Sequence, residues 1–241
     1  MLEISCGDGL HLRPLLDAGF DVRGTNFSKY EDEAPGLPVD HGVDLRQGLP
    51  YEAASFDTVV LVDVIEHLSD HDRAIGELAR VCREGGHVIV LSPNIMKLNS
   101  RLQFLLTGFH KLKRDFVGFD VAPDRAFTFH NYPPHLPTFL YQMRSHGLRL
   151  SEFTAEGYKW RGIAPWLFFG PLVWIATAAK VHVSEPNLRG TDAAGDVRRC
   201  LTSFAGMCGE FWIAVARKDS SPVASRTELP PWAATWRDSA G

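Results

Sequence analysis

Leu2-Glu3-Ile4-Ser5-Cys6-Gly7-Asp8-Gly9 is the stretch on which the reading of this chain turns. An apolar strand pattern, Met1–Ser5, runs into two closely spaced glycines. A helical pattern follows, with Leu10, Leu12, Leu15 and Leu16 on one side. Glycines at such a turn let a ligand come close to backbone N–H groups where a helix begins. A Gly-rich turn alone is weak, and its setting gives it weight. A strand precedes it, a helix follows, and a second strand pattern, Phe20–Thr25, ends at the polar Asn26, where a ribose contact falls in nucleotide-type folds.

Outward from this turn the same grammar repeats. Gly42–Leu45 reads as the end of a third strand. Phe56–Val62 (FDTVVLV) is a Val-rich buried strand between Ser55 and Asp63. His71–Arg83 is an amphipathic helix pattern with Ile75, Leu78, Ala79 and Cys82 at helical spacing, stopped by Gly85-Gly86. His87–Leu91 (HVIVL) is the next strand, closed by Pro93. Near-continuous Val/Leu runs alternating with helices imply a parallel sheet covered on both faces. Beyond Asn94 we expect helices over Ile95–Phe109 and Leu136–His146, strands over Leu148–Glu156 and Glu210–Arg217, and an insertion of some fifty residues between those two strands. Residues 219–241, rich in Ser, Pro, Ala and Thr, read as a disordered tail.

Composition narrows the class. The 241 residues are 45% apolar and 22% charged, as in an ordinary globular protein, and the net charge of −4 does not suit a basic nucleic-acid binder. Cys6, Cys82, Cys200 and Cys208 form no CxxC pair and no zinc-ligand spacing, so a reducing compartment and no metal are expected. No signal-peptide pattern opens the chain, which places it in the cytoplasm, with a peripheral position at the inner membrane surface as a refinement taken up below.

With these segments in order, the sequence resembles the class I S-adenosylmethionine-dependent methyltransferases of the small-molecule type. Their first motif has an acidic residue followed by a glycine-rich turn, as in Glu3-Ile4-Ser5-Cys6-Gly7-Asp8-Gly9. Further matching segments are Val22-Arg23-Gly24-Thr25-Asn26, Val43-Asp44-Leu45, Ser55-Phe56-Asp57, Asp63-Val64-Ile65-Glu66-His67-Leu68, Arg80–Gly86 and Ser92-Pro93-Asn94. The resemblance covers residues 1–94, then more faintly 127–155 and 210–218. It implies a Rossmann-like α/β fold: a seven-stranded, mostly parallel sheet, helices on both faces, the last strand antiparallel. Residues 1–218 would be one domain, with a cofactor half (1–94) and acceptor-side elements (95–210) that include an apolar insertion over 160–208. The implied cofactor is S-adenosyl-L-methionine.

The resemblance also assigns roles. Glu3, Ser5, Cys6, Gly7 and Gly9 would line the methionine part of the cofactor. Asn26 would face the ribose hydroxyls. Asp44 and Leu45 would meet the adenine, and Asp63 and Val64 the sulfonium end. Three departures stand out. Ser5 replaces the family's usual glycine, Asn26 replaces its usual acid, and the first strand comes without the helix that usually precedes it. Taken on their own chemistry, Cys6 reads as a small apolar turn residue, Asp8 as a helix-start residue and Asp57 as a solvated residue at the start of its strand.

Methyl transfer from a sulfonium is an in-line displacement that needs alignment and exclusion of water. A hydroxyl acceptor also needs a base near neutral pH, and histidine suits that. His67 follows the fourth strand at the carboxyl edge, where α/β sites form, and His130 lies in the acceptor-side region. These two are the catalytic-base candidates, each weighed against a purely structural role. Asn131-Tyr132-Pro133-Pro134 does not match the order of the amino-directed Asn-Pro-Pro-aromatic motif, so oxygen is the expected target atom.

Arg161 and Lys180 bracket eighteen uncharged residues, Gly162–Ala179, with Gly170-Pro171 expected to break or kink any helix there and leave each half too short to span a bilayer. Upstream, Lys97, Arg101, Lys111, Lys113 and Arg114 lie among Leu102, Phe104, Leu105, Leu106 and Phe109. This suits peripheral contact with an anionic membrane through 162–179, or a pocket for a lipid-linked or other greasy acceptor. A lid on the core or a homodimer face fits the same residues. The leading reading is O-methylation of a small or lipid/sugar-linked metabolite, with no nucleic-acid partner. The alternative is a non-catalytic, SAM-binding or membrane-associated scaffold. A nucleotide-dependent oxidoreductase fits worse, because Gly7-x-Gly9 after Ser5 does not extend to GxGxxG.

Overall fold

A computed structural model describes residues 1–29, 35–111, 129–185, 188 and 190–219. The expected disordered segment 220–241 and the basic residues Lys113 and Arg114 lie outside the described residues. Seven strands form one sheet: β1 (Leu2–Ile4), β2 (Arg23–Asn26), β3 (Val39–His41), β4 (Phe56–Val62), β5 (Cys82–Pro93), β6 (Leu148–Glu156) and β7 (Phe211–Lys218), in the order β3-β2-β1-β4-β5-β7-β6. Every pairing from β3 to β5 is parallel, and β7 runs antiparallel to both β5 and β6. This is the expected Rossmann-like sheet with only its last strand reversed. The order turns back between β1 and β4, so the crevice beyond their carboxyl ends is the topological switch point where α/β proteins bind ligands.

The helices packed around the sheet are α1 (Leu12–Asp17), α2 (His71–Val81), α3 (Leu98–Thr107), α4 (Leu136–Ser145), α5 (Trp160–Ala179), α6 (Asp192–Thr202) and α7 (Phe204–Cys208). α2 shows why the sequence folds as it does. The Asp70 carboxylate caps it by accepting from the Arg73 amide at 3.0 Å, and Ala74, Ile75, Leu78, Ala79 and Val81 are buried. Each large apolar side chain buried here, as in Val59 and Leu61 of β4, contributes roughly 1.5–3 kcal/mol. On the half-buried flank Arg80 pairs with Glu77 and donates to the Tyr51 and Leu49 carbonyls, tying the loop before β4 to the helix. At the far end Trp212 is fully buried against Phe139, with ring centroids 5.0 Å apart.

Several boundaries differ from the sequence reading, among them the second strand, which starts at Arg23 rather than Phe20. The third strand ends at His41, because Gly42 takes a φ of +75° and turns the chain before Val43. α1 starts at Leu12, and Leu10 stays exposed. Gly85-Gly86 do not stop α2. The helix ends at Val81, Cys82 is already extended, and the glycines lie within β5, where the register to β4 shifts between Phe56 and Thr58. Most consequentially, Gly170-Pro171 does not break α5, which runs on through Pro165 and Pro171 and continues as a π-turn over Lys180–Ser184. Each proline removes one ladder bond, and a helix of this length keeps the others. The stretch Gly162–Ser184, 23 residues, is therefore long and apolar enough to cross a membrane by length and composition, and only 6% of its apolar 18-residue window is buried.

Candidate active site

The crevice at the switch point is built from the ends of β1, β2 and β4. Ser5 follows β1 with a φ of +56°, and Asp63 follows β4 with a φ of +52°. Left-handed backbone at a residue with a side chain costs about 1–3 kcal/mol and clusters at binding sites. Two of the three non-glycine residues of this kind among the described residues flank one crevice. The first-motif glycine usual at the Ser5 position is thus explained, because the turn demands positive φ.

The loop after β1 is held by a reciprocal clamp. The Gly7 amide donates to Asn26 Oδ1 at 2.9 Å, and Asn26 Nδ2 donates to the Gly7 carbonyl at 2.8 Å. The Ser5 and Cys6 amides donate to Thr25 Oγ1 and the Thr25 carbonyl. A carboxylate at position 26 can accept but cannot donate. The amide therefore suits the residue's role as the loop's fastener, and its buried side chain is committed to Gly7 as well as to the end of β2. Gly7 takes a φ of +62°, and a Cβ there would meet no atom within 4 Å. The loop backbone thus borders open space at Gly7. Gly24 is required for the opposite reason. A Cβ on it would sit 2.6 Å from Cys6 Sγ and 2.7 Å from Leu12 Cδ1, so β2 can approach the loop only as glycine.

The other cofactor-side candidates surround this loop. Glu3 is buried in β1, and burial pushes its carboxyl above the usual range against the opposing pull of His11, whose Nδ1 lies 3.2 Å away. The Gly9 amide closes the turn on the Cys6 carbonyl. Cys6 packs with Leu12 and Val22, and Asp8 accepts from the Leu10 amide, both local structural roles. Asp57 is exposed and pairs with Arg83. Past β3, the Val43 amide donates to the Asn26 carbonyl and brings the Asp44-Leu45 pair to the edge. Leu45 is buried. Asp44 accepts from Arg46 Nε and Nη2 at 2.9 Å and from the Arg46 amide, which holds its carboxyl below the usual range. The structure therefore places Asp44 near the crevice edge but engages its carboxylate with Arg46. Arg46 in turn lies 5.8 Å from the centroid of the exposed Phe27 ring, a residue beside Asn26 that the sequence reading passed over.

The two histidine candidates, 63 positions apart, meet. Their rings are 5.2 Å apart, edge on. His67 ends the 3₁₀ turn Ile65–His67 after β4, and its Nδ1 lies 2.9 Å from the Phe129 carbonyl. The Tyr132 amide donates to the Glu66 carbonyl. These two bonds strap 129–132 onto the turn and put His130 beside it. Between them lies Glu66, fully buried, whose Oε2 accepts from Ser92 Oγ at 3.1 Å and whose Oε1 lies 3.8 Å from His130 Nε2. Sequence reading quoted Glu66 only as part of a motif. A carboxylate one position before a candidate histidine is the signal that the sequence carries. Asp63, exposed, and Val64, half-buried, bridge the glycine loop's crevice and this cluster along the same strand end.

Comparison with known proteins agrees with this geometry. A methyltransferase-domain family matches residues 2–90. A ubiquinone biosynthesis O-methyltransferase of Sinorhizobium medicae is 28% identical over 130 residues, covering 47% of this chain and 52% of that protein. A probable S-adenosylmethionine-dependent methyltransferase of Mycolicibacterium smegmatis is 35% identical over 117 residues, covering 46% and 44%. The chain thus spans about half the length of the curated relatives it matches. The crystal structure of a putative S-adenosylmethionine-dependent methyltransferase from Listeria monocytogenes shares the fold, with a TM-score of 0.51 at 12% identity over 91% of this chain and 90% of that one.

Proposed function

We propose, from the premise that residues 2–90 are a class I S-adenosylmethionine-dependent methyltransferase domain, that the chain transfers a methyl group to a hydroxyl oxygen of a small or lipid-linked metabolite. The observation that carries this reading is the convergence of the Gly7 loop and the Glu66–His67–His130 cluster on the ends of adjacent strands β1 and β4. The bound cofactor supplies an activated methyl on a sulfonium. Glu3, Ser5, Cys6, Gly7 and Gly9 would hold its amino-acid end, Asn26 would fasten that loop on the ribose side, and Phe27, Asp44 and Leu45 would border the adenine. Asp63 and Val64 would flank the sulfonium. His67 and His130 would take the proton from an acceptor hydroxyl. Oxygen as the target is supported by the name of the Sinorhizobium relative and by the histidine pair. His130→Ala and His67→Ala should each lower turnover by about 10²–10⁴-fold, the usual worth of a positioned acid–base group, and leave S-adenosylhomocysteine binding unchanged. Undiminished turnover in both would overturn the assignment.

A cytoplasmic protein that touches the inner membrane surface is the reading of its apolar side. Its support is exposure: Leu105, Leu106 and Phe109 at the end of α3, and Leu167, Phe168, Leu172 and Ile175 on α5, are all more than half exposed. Two of the basic residues expected to assist do not. Lys97 is buried against Glu210 at 2.8 Å, and Arg101 donates to the Met96 and Leu201 carbonyls inside the fold. Contact through apolar insertion, with little electrostatic help from these two, predicts vesicle binding that survives salt. Abolition by moderate salt, or no binding to vesicles together with a dimer in sedimentation, would replace this reading with the homodimer face.

A further inference from the structure

We infer that Glu66, His67 and His130 form a binding site for a first-row divalent cation. One donor atom from each residue lies within 4.8 Å of the others. The His130 Nε2 to Glu66 Oε1 separation of 3.8 Å is longer than a hydrogen bond. It matches two ligands of one ion, because donors bound at 2.0–2.2 Å stand roughly 3–4.3 Å apart.

The surroundings of the three groups are those of a preorganised ligand set. The Phe129 carbonyl can only accept, so His67 Nδ1 carries the proton that it receives, and in the neutral ring Nε2 keeps the lone pair a metal needs. Ser92, itself buried, donates to Glu66 Oε2 and fixes the carboxylate. A buried carboxylate flanked by two imidazoles is also a donor set of the right charge. One negative group half-neutralises a divalent ion, and two neutral nitrogens select zinc, manganese, iron or cobalt over magnesium. Three protein ligands leave at least one coordination position open.

The cluster sits after β4, next to Asp63 and Val64, at the strand end that borders the glycine loop's crevice. The role of the ion there rests on the methyl-transfer reading; the site itself does not. An acceptor hydroxyl bound at the open position becomes more acidic. Its proton passes to water, the oxygen's electron pair forms the new C–O bond, and the methyl–sulfur bond breaks with its pair left on sulfur. In this state the histidines act as ligands, and the ion does the work assigned above to a base.

The test uses the full chain, stripped with a chelator and titrated calorimetrically with zinc chloride, then separately with magnesium chloride. We expect one equivalent of Zn²⁺, with magnesium far weaker. His130→Gln and Glu66→Gln should each weaken Zn²⁺ binding at least tenfold. Ser92→Ala, which keeps all three ligands, should weaken it less, and Co²⁺ absorption should show nitrogen–oxygen coordination in the wild type. Absence of saturable Zn²⁺ binding to the wild-type chain, or equal affinity in His130→Gln and Ser92→Ala proteins that melt normally, would overturn the site. S-adenosylhomocysteine binding, measured on the same samples, judges the methyl-transfer reading independently. Zinc without it keeps the site and removes the role given to the ion; the reverse keeps the domain's reading and removes the site.

Discussion

Two apolar stretches of this chain meet opposite fates. In residues 56–81, Val59, Leu61, Ile75 and Leu78 are all at most 1% exposed, packed between sheet and helix. In α5, a far more apolar stretch leaves Phe168 81% exposed and Leu167 64% exposed. The first stretch has polar residues at the strand ends and along the outer face of its helix, which tell each apolar side chain which way to turn. The second is apolar around its whole circumference, so only part of it can find the fold. Hydrophobicity states a demand for burial; the polar residues around it say what meets the demand.

This contrast can be broken from either side. The largest effect is expected at the cofactor loop. Asn26→Ala removes both bonds to the half-buried Gly7, each worth about 0.5–1.5 kcal/mol. S-adenosylhomocysteine affinity should fall at least tenfold, measured by calorimetry, and the melting temperature should drop by several degrees. On the α5 side, Leu105→Glu with Phe168→Glu should reduce vesicle association about tenfold, read by flotation, with melting unchanged because neither side chain is buried. A clear loss of stability would mean that this face belongs to the core after all.

A smaller effect lies in the flank that orders the loop before β4. Glu77 accepts from Arg80 and from the Leu49 amide, which holds its carboxyl below the ordinary value of 4.5. A depressed carboxyl stabilises the fold above its unfolded value, and that contribution is lost as pH falls through the lower folded value. Glu77→Gln should therefore cost about 1 kcal/mol at pH 7, and the gap to wild type should close below about pH 4. Denaturant unfolding at both pH values checks it; a constant gap would contradict it. The smallest effect is expected at Ser5. Ser5→Gly relieves a side chain held at positive φ and should raise stability by up to about 1 kcal/mol, with cofactor affinity unchanged.

The cofactor half was legible because its determinants are local. A strand, two glycines and a helix follow one another within twenty residues, and Phe56–Val62 matches its strand residue for residue. Boundaries slipped where one glycine has two uses: Gly42 turns the chain out of β3, while Gly85 and Gly86 bend a strand that continues. His67 and His130 were readable as residue types, yet their meeting depends on one side-chain and one backbone hydrogen bond spanning more than sixty positions, which no pattern announces. Glu66 was missed for the same reason, since its partner Ser92 comes from the next strand. Arg101 and Lys97 misled because long cationic side chains can turn inward along an apolar surface to reach carbonyls or a buried acid.

The most direct test of the account is a calorimetric titration of S-adenosylhomocysteine into the purified chain. The Gly7–Asn26 clamp and the open space beside Gly7 predict a single saturable site, with affinity that falls in Asn26→Ala and holds in His130→Ala. No binding to a chain that melts cooperatively would contradict the central claim and leave a methyltransferase fold without its cofactor site.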